Sequence, residues 1–273
     1  MSKWVQPRDG NNNVITHPGN PYTEFANILQ SPTKGFDVAY SPRGATSRLM
    51  AYRGYMYNAS ASTVKAGLGN ELLTSKWGGG TMAVGGAYTD DTAHIQATAT
   101  TLFPVSTLVD NTGFIVGSTE RWNHMKIVVG TADNSGFAIV YAFHYWNGAW
   151  TSLAGYLVDT PSFAAAATTY LTFMPPGDWI AGGTPVDTVP TTRFNIRVTA
   201  TTAPDTTAAL IGKAKIAHIR TMKTLLTVSG GVLDLANYPV IGGVGENLVT
   251  YWSTAHAASY IDLAGDETPR TIA

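Results

Sequence analysis

The chain has 273 residues, enough for one large domain or two smaller ones with a sizeable core. Hydrophobic residues make up 44% and charged residues 13%, about half the usual charged share, and the formal net charge is -1. That balance excludes the basic footprint of a nucleic-acid binder, and the lack of cysteine excludes disulfides, thiolate metal sites and cysteine nucleophiles.

Residues 1–50 are rich in turn signals: NNN, HPGNP, SPTKG and SPRG follow one another. Only YTEFANIL suggests a short helical turn, with Tyr22, Phe25 and Leu29 on one face. The aromatic residues Trp4, Tyr22, Phe25 and Phe36 speak against a disordered tail. We expect residues 1–50 to form an extended arm that contacts a neighbouring subunit. The opening residues hold no apolar run suited to a Sec-type signal, and no segment reaches the length of a membrane span. A soluble protein is expected.

From residue 51 the pattern becomes β. RLMAYRGYMYNAS alternates, TAHIQATATTLFPV reads as a strand of small and β-branched residues, and GFIVGS and WNHMKIVVGT are two further short runs. Between the first two of these lies GGGTMAVGG, glycine-rich but without the Lys-Ser/Thr of a phosphate loop, and read as a turning loop. The clearest strand is FAIVYAFHYW, with Phe137, Ile139, Tyr141, Phe143 and Tyr145 on one face. At Asn147-Gly148 the chain turns; the pair suits a type I′ hairpin, with AWTSLAG as the return strand. TYLTFMPP and RFNIRVTAT give two more strands, the second with Phe194, Ile196 and Val198 inward and Arg193, Asn195 and Arg197 outward. ALIGKAKIAHIRT and TLLTVSG continue the pattern to about residue 230, and residues 231–273 form a Gly-rich, weakly patterned segment packed on the sandwich or on a neighbour. Short strands at this spacing, with no heptad and no fixed repeat, predict an all-β fold: a sandwich or jelly roll over residues 51–230.

Catalytic chemistry finds little support. No Gly-x-Ser-x-Gly elbow occurs, and the six histidines form no i, i+2 or i, i+4 pair. Asp90 and Asp91, near His94, could hold a hard cation, but a solvated turn explains them more simply. A glycosidase needs two opposed carboxylates, and only Asp159 and Asp178 stand near the aromatic hairpin. Asp178 after Pro-Pro-Gly suits a turn or cap. The expectation is a protein without enzymatic activity, metal or cofactor. Tyr145, Trp146, Trp150 and Trp179 are candidate ligand or interface aromatics, because such rings offer apolar faces to sugars; the competing reading is that they fill the sandwich core.

Three stretches taken together, YWNGAWTSL, YLTFMPPGDW and TTRFNIRVTAT, resemble structural proteins of tailed bacteriophages. Trp146, Asn147, Gly148 and Trp150 match an aromatic hairpin of such domains. Phe173, Pro176 and Trp179 match the strand that follows, and Arg193, Ile196, Arg197 and Val198 the next. The resemblance covers about residues 85–220 and implies a virion protein assembled in the host cytoplasm. Lacking a repetitive shaft and a major-capsid-type helix, the chain is expected to be a capsid cement (decoration) protein. It would act as a homotrimer bound to the major capsid protein. The alternative is a tail or fibre-tip protein that binds a host-surface glycan. Neither implies nucleic acid or membrane as a partner.

Overall fold

A computed structural model of the chain describes residues 24–30, 35–40, 48–58, 63–82, 87–97, 103–104, 113–131, 140–183, 189–200, 210–226, 231–239, 242–253 and 260–267. Strands dominate them: β1 (Glu24–Gln30), β2 (Gly35–Tyr40), β3 (Leu49–Asn58), β4 (Val64–Glu71), β5 (Trp77–Met82), β6 (Tyr88–Asp90), β7 (Phe103–Pro104), β8 (Gly113–Ser118) and β9 (His124–Thr131). There follow β10 (Tyr141–Trp146), β11 (Trp150–Ser152), β12 (Leu157–Asp159), β13 (Thr168–Phe173), β14 (Phe194–Ala200), β15 (Leu210–Leu226), β16 (Gly231–Pro239), β17 (Asn247–Trp252) and β18 (Tyr260–Glu267). Among the described residues one short α-helix, α1 (Thr92–Gln96), and two 3-10 turns, Thr74–Lys76 and Ala154–Tyr156, interrupt the series. Antiparallel sheets pack face to face, so the fold is the all-β sandwich that the alternating runs predict.

The chain divides into two compact units. One takes residues 1–70 and 219–273, the other residues 71–218. In the first, β1 pairs with β18, β18 with β3, and β3 with β16. There too β17 pairs with both β4 and β2. The opening and closing described strands are therefore neighbours, Phe25 lying opposite Gly265. Residues 24–30, where the sequence suggested a helical turn, are extended. Seven cross-strand pairings with β18 outweigh a weak local helical spacing.

The second unit holds the hairpin. A six-stranded sheet runs β11-β10-β14-β8-β5-β6, and facing it stand β12-β13-β9-β15, with β7 on β15. Period-2 alternation sends Phe114, Val116, Phe143, Ile196 and Val198 inward from the first sheet, and Met125, Ile127, Leu171 and Phe173 inward from the second. Trp122, Phe163 and Trp179 fill the space from connecting segments. Trp122 and Trp179 are fully buried, and their rings meet edge-on at 6.1 Å.

Three local expectations are overturned. GGGTMAVGG does not begin as a loop: Gly78, Gly79 and Gly80 lie in β5, buried between β8 and β6. Their lack of a side chain makes space, since a Cβ on Gly78 would stand 2.2 Å from Thr92 Oγ1 and one on Gly80 2.0 Å from the Thr89 carbonyl oxygen. Second, TAHIQATATTLFPV is not one strand, for Thr92–Gln96 forms α1. The Asp90 carboxylate accepts a bond from the Thr92 N–H at 2.8 Å, and Ile95 alone enters the core. Third, Asn195 takes the outward side of β14 with Arg197 but is not in solvent. It is buried, and its Nδ2 donates to the carbonyls of Gly182 and Pro190, both at 2.9 Å.

Candidate binding face at the Asn147 hairpin

The hairpin is built from β10 and β11, with His144 opposite Ser152, Tyr145 opposite Thr151 and Trp146 opposite Trp150. Three residues, Asn147 to Ala149, therefore separate the last pair, and the two-residue type I′ turn expected from Asn-Gly is not formed. Gly148 takes a positive φ, 105°, which glycine adopts without steric cost. Asn147 contributes through its side chain. Its Oδ1 accepts from the Thr151 hydroxyl at 2.9 Å, and its Nδ2 donates to Asp178 at 2.9 Å.

Asp178 is thereby the tie between the hairpin and the Pro-Pro-Gly-Asp-Trp segment. Its carboxylate also accepts the Tyr145 hydroxyl at 3.3 Å, and Ile180 N–H donates to the Trp146 carbonyl at 3.0 Å. The Asn147 bond, ahead of the Tyr145 bond, holds the Asp178 carboxyl below its ordinary range. Burial, then the bond to Asp178, pushes the Tyr145 hydroxyl up. Such a carboxylate is a latch, kept ionised and acceptor-only. Asp159 lies half-buried in β12.

The four aromatic candidates separate by face. Tyr145 points into the core, as does Trp179, whose Nε1 donates to the Asn195 carbonyl at 3.2 Å and whose ring packs on Trp122, Phe173 and Phe194. Trp146 and Trp150 take the opposite face of the six-stranded sheet and are only half-buried. Their rings meet edge-on at 5.3 Å. Gly182, at φ 147°, comes so near Trp146 that a Cβ there would be 2.5 Å from its Nε1.

Two polar residues that sequence reasoning passed over share this outer face. His144 and Arg197 are directly opposed across β10 and β14, and the Arg197 guanidinium lies 4.9 Å over the Trp150 ring. Burial lowers the pKa of both, and the neighbouring Arg197 charge lowers that of His144 further. His144 Nδ1 and Arg197 Nε are sealed from solvent without a hydrogen-bond partner. Part of the signal was present: hairpin register carries Trp150 and His144 to one side, and RFNIRVTAT already placed Arg197 outward.

Elsewhere the acidic candidates are engaged locally. Asp90 binds the Thr92 N–H, while Asp91 accepts the Thr81 hydroxyl at 3.1 Å and lies 3.5 Å from His94 Nδ1. Among the described residues no group of three or more His, Asp or Glu is placed to hold a metal, and no helix is long and apolar enough to cross a membrane. Phe36 sits opposite Tyr251 in the β2–β17 register; Trp4 and Tyr22 lie outside the described residues. No protein-family model matches the chain, and no curated protein matches it significantly.

Proposed function

We propose that the chain is a non-enzymatic virion structural protein, a capsid decoration protein that bridges neighbouring major capsid subunits as a homotrimer. The observation that carries this reading is a set of exposed apolar side chains tied to the hairpin of the second unit. Tyr156, Met174 and Ile180 expose 37%, 50% and 48% of their surface. Each is fixed to the same framework: Met174 N–H bonds the Tyr156 carbonyl, Tyr156 meets the Tyr145 ring at 5.9 Å, and Ile180 bonds Trp146. On a chain with 13% charged residues, such a set gains by being covered, at about 25 cal/mol for each Å² removed from water. A bound bridge raises shell stability by mass action.

Mass photometry of the protein, alone and with undecorated shells, tests the reading. A trimer that binds shells and raises their heat resistance is expected, with binding lost in Ile180→Asp. A monomer that ignores shells would end it. A fibre-tip, glycan-binding role is the second reading, favoured by the half-exposed Trp146–Trp150 pair beside Arg197. Quenching of tryptophan fluorescence by host polysaccharide, with no shell binding, would select it.

A further inference from the structure

The arginines of the second unit and its neighbour differ in how their charge is met. Arg121 donates to the carbonyls of Trp179 and Gly177, and Arg220 makes a two-pronged pair with Glu246. Among the described residues Arg197 meets no side-chain hydrogen-bond acceptor and no acidic partner, although its side chain is half-buried and its Nε is shut off from solvent. Leaving a guanidinium partly desolvated and unpaired is costly, and among the described residues the Trp150 ring is what lies against it. Stacking engages the flat face of the guanidinium and leaves the N–H groups at its edge free to donate.

Directly across the β10–β14 pair stands His144, with a second unpartnered nitrogen. Trp146 and Trp150 add an apolar wall on the same side of the sheet. A planar donor fork and an aromatic wall together fit a ligand that carries a carboxylate on an otherwise apolar-faced ring. We propose that this outer face binds the carboxylate of an acidic sugar, with Arg197 as its donor fork and Trp146 and Trp150 against the sugar ring. The proposal gives a ligand class to the glycan-binding reading above and rests on that reading.

Calorimetric titration of the full chain with glucuronate, galacturonate and N-acetylneuraminate, each beside its uncharged methyl ester, tests it. At least one acid is expected to bind, its ester about tenfold or more weaker, because the charge-assisted bonds are lost. Arg197→Gln should weaken the acid about as much while near-ultraviolet circular dichroism stays unchanged. Lys215→Gln, which removes an exposed cation paired with Glu71, should bind as the parent does. Equal binding of acid and ester, or full affinity in Arg197→Gln, would overturn the carboxylate assignment while leaving glycan binding standing. Failure of all six compounds at about 10 mM, weaker than any affinity of functional use, would overturn both.

Discussion

Trp179 and Trp150 belong to one unit and stand near one hairpin, yet they live under opposite conditions. Trp179 is fully buried, its N–H is satisfied by Asn195, and three aromatic rings enclose it. Trp150 is half-open: it packs on the small cluster of Met82, Tyr88, Ile115 and Val189, with the Trp146 ring edge-on to it and the Arg197 cation over its face. The contrast teaches where to look for function. A side chain whose area and polar atoms are all accounted for has no capacity left for a ligand, whereas one beside unmet donors has.

The sharpest way to break that contrast is to truncate the buried partner. Trp179→Ala should cost about 3–5 kcal/mol in a urea titration, since it loses the transfer energy of the ring and leaves a cavity among Trp122, Phe173 and Phe194. A loss below about 1 kcal/mol would mean that the site collapses freely, and the division between filled and open faces would lose its basis.

The next effect in size is acid lability from the second unit's other closed position. His124 is buried, stacked on Tyr170 at 5.6 Å and joined to the Thr172 hydroxyl at 2.9 Å. Burial, helped by the Lys126 charge, holds its pKa down to about 3. Because the folded value lies below the unfolded 6.5, the unfolded state takes the proton first. Stability is then fully present above pH 6.5 and falls by about 1.4 kcal/mol per unit as the pH drops toward 3. His124→Gln should flatten that slope in denaturation curves between pH 6.5 and 4, whatever it costs at neutral pH. An unchanged slope would show that His124 does not couple folding to protons.

How much of this was readable beforehand follows from which forces are local. The runs GFIVGS, TYLTFMPP and RFNIRVTAT became β8, β13 and β14 because period-2 patterning reflects a buried face directly. GGGTMAVGG and TAHIQATATTLFPV misled because their structure is decided by close approach. The backbone of β5 makes space for Thr92 and Tyr88, and no local propensity states that. Asn195, on the outward side of β14, is buried for a similar reason: the Gly182 and Pro190 carbonyls that it satisfies come from outside its own strand. At the candidate site, Trp146 and Trp150 were visible as a hairpin pair. Arg197 became a partner only through the register of β10 on β14, a long-range fact. Tyr145 and Trp179, equally aromatic, differ from them in which way the pleat turns them.

The smallest effect is the most discriminating, since it compares two arginines. In Arg220→Gln the Glu246 carboxylate, which also accepts the Gly243 N–H at 2.7 Å, loses its two-pronged partner. The Arg220 side chain is 39% exposed, so solvent screening limits the loss to about 1 kcal/mol. Arg197→Gln removes a charge that no acidic group among the described residues meets, and it forfeits the stacking on Trp150. Relief of the desolvation cost offsets that loss, so its stability should stay within about 0.5 kcal/mol of the parent, or rise. Side-by-side urea titrations of the two variants decide the matter. If Arg197→Gln fell as far as Arg220→Gln, the Arg197 charge would be structural, and its freedom to meet a ligand would have to be given up. If it held, stability would assign the guanidinium no structural duty, as expected of a group kept for binding.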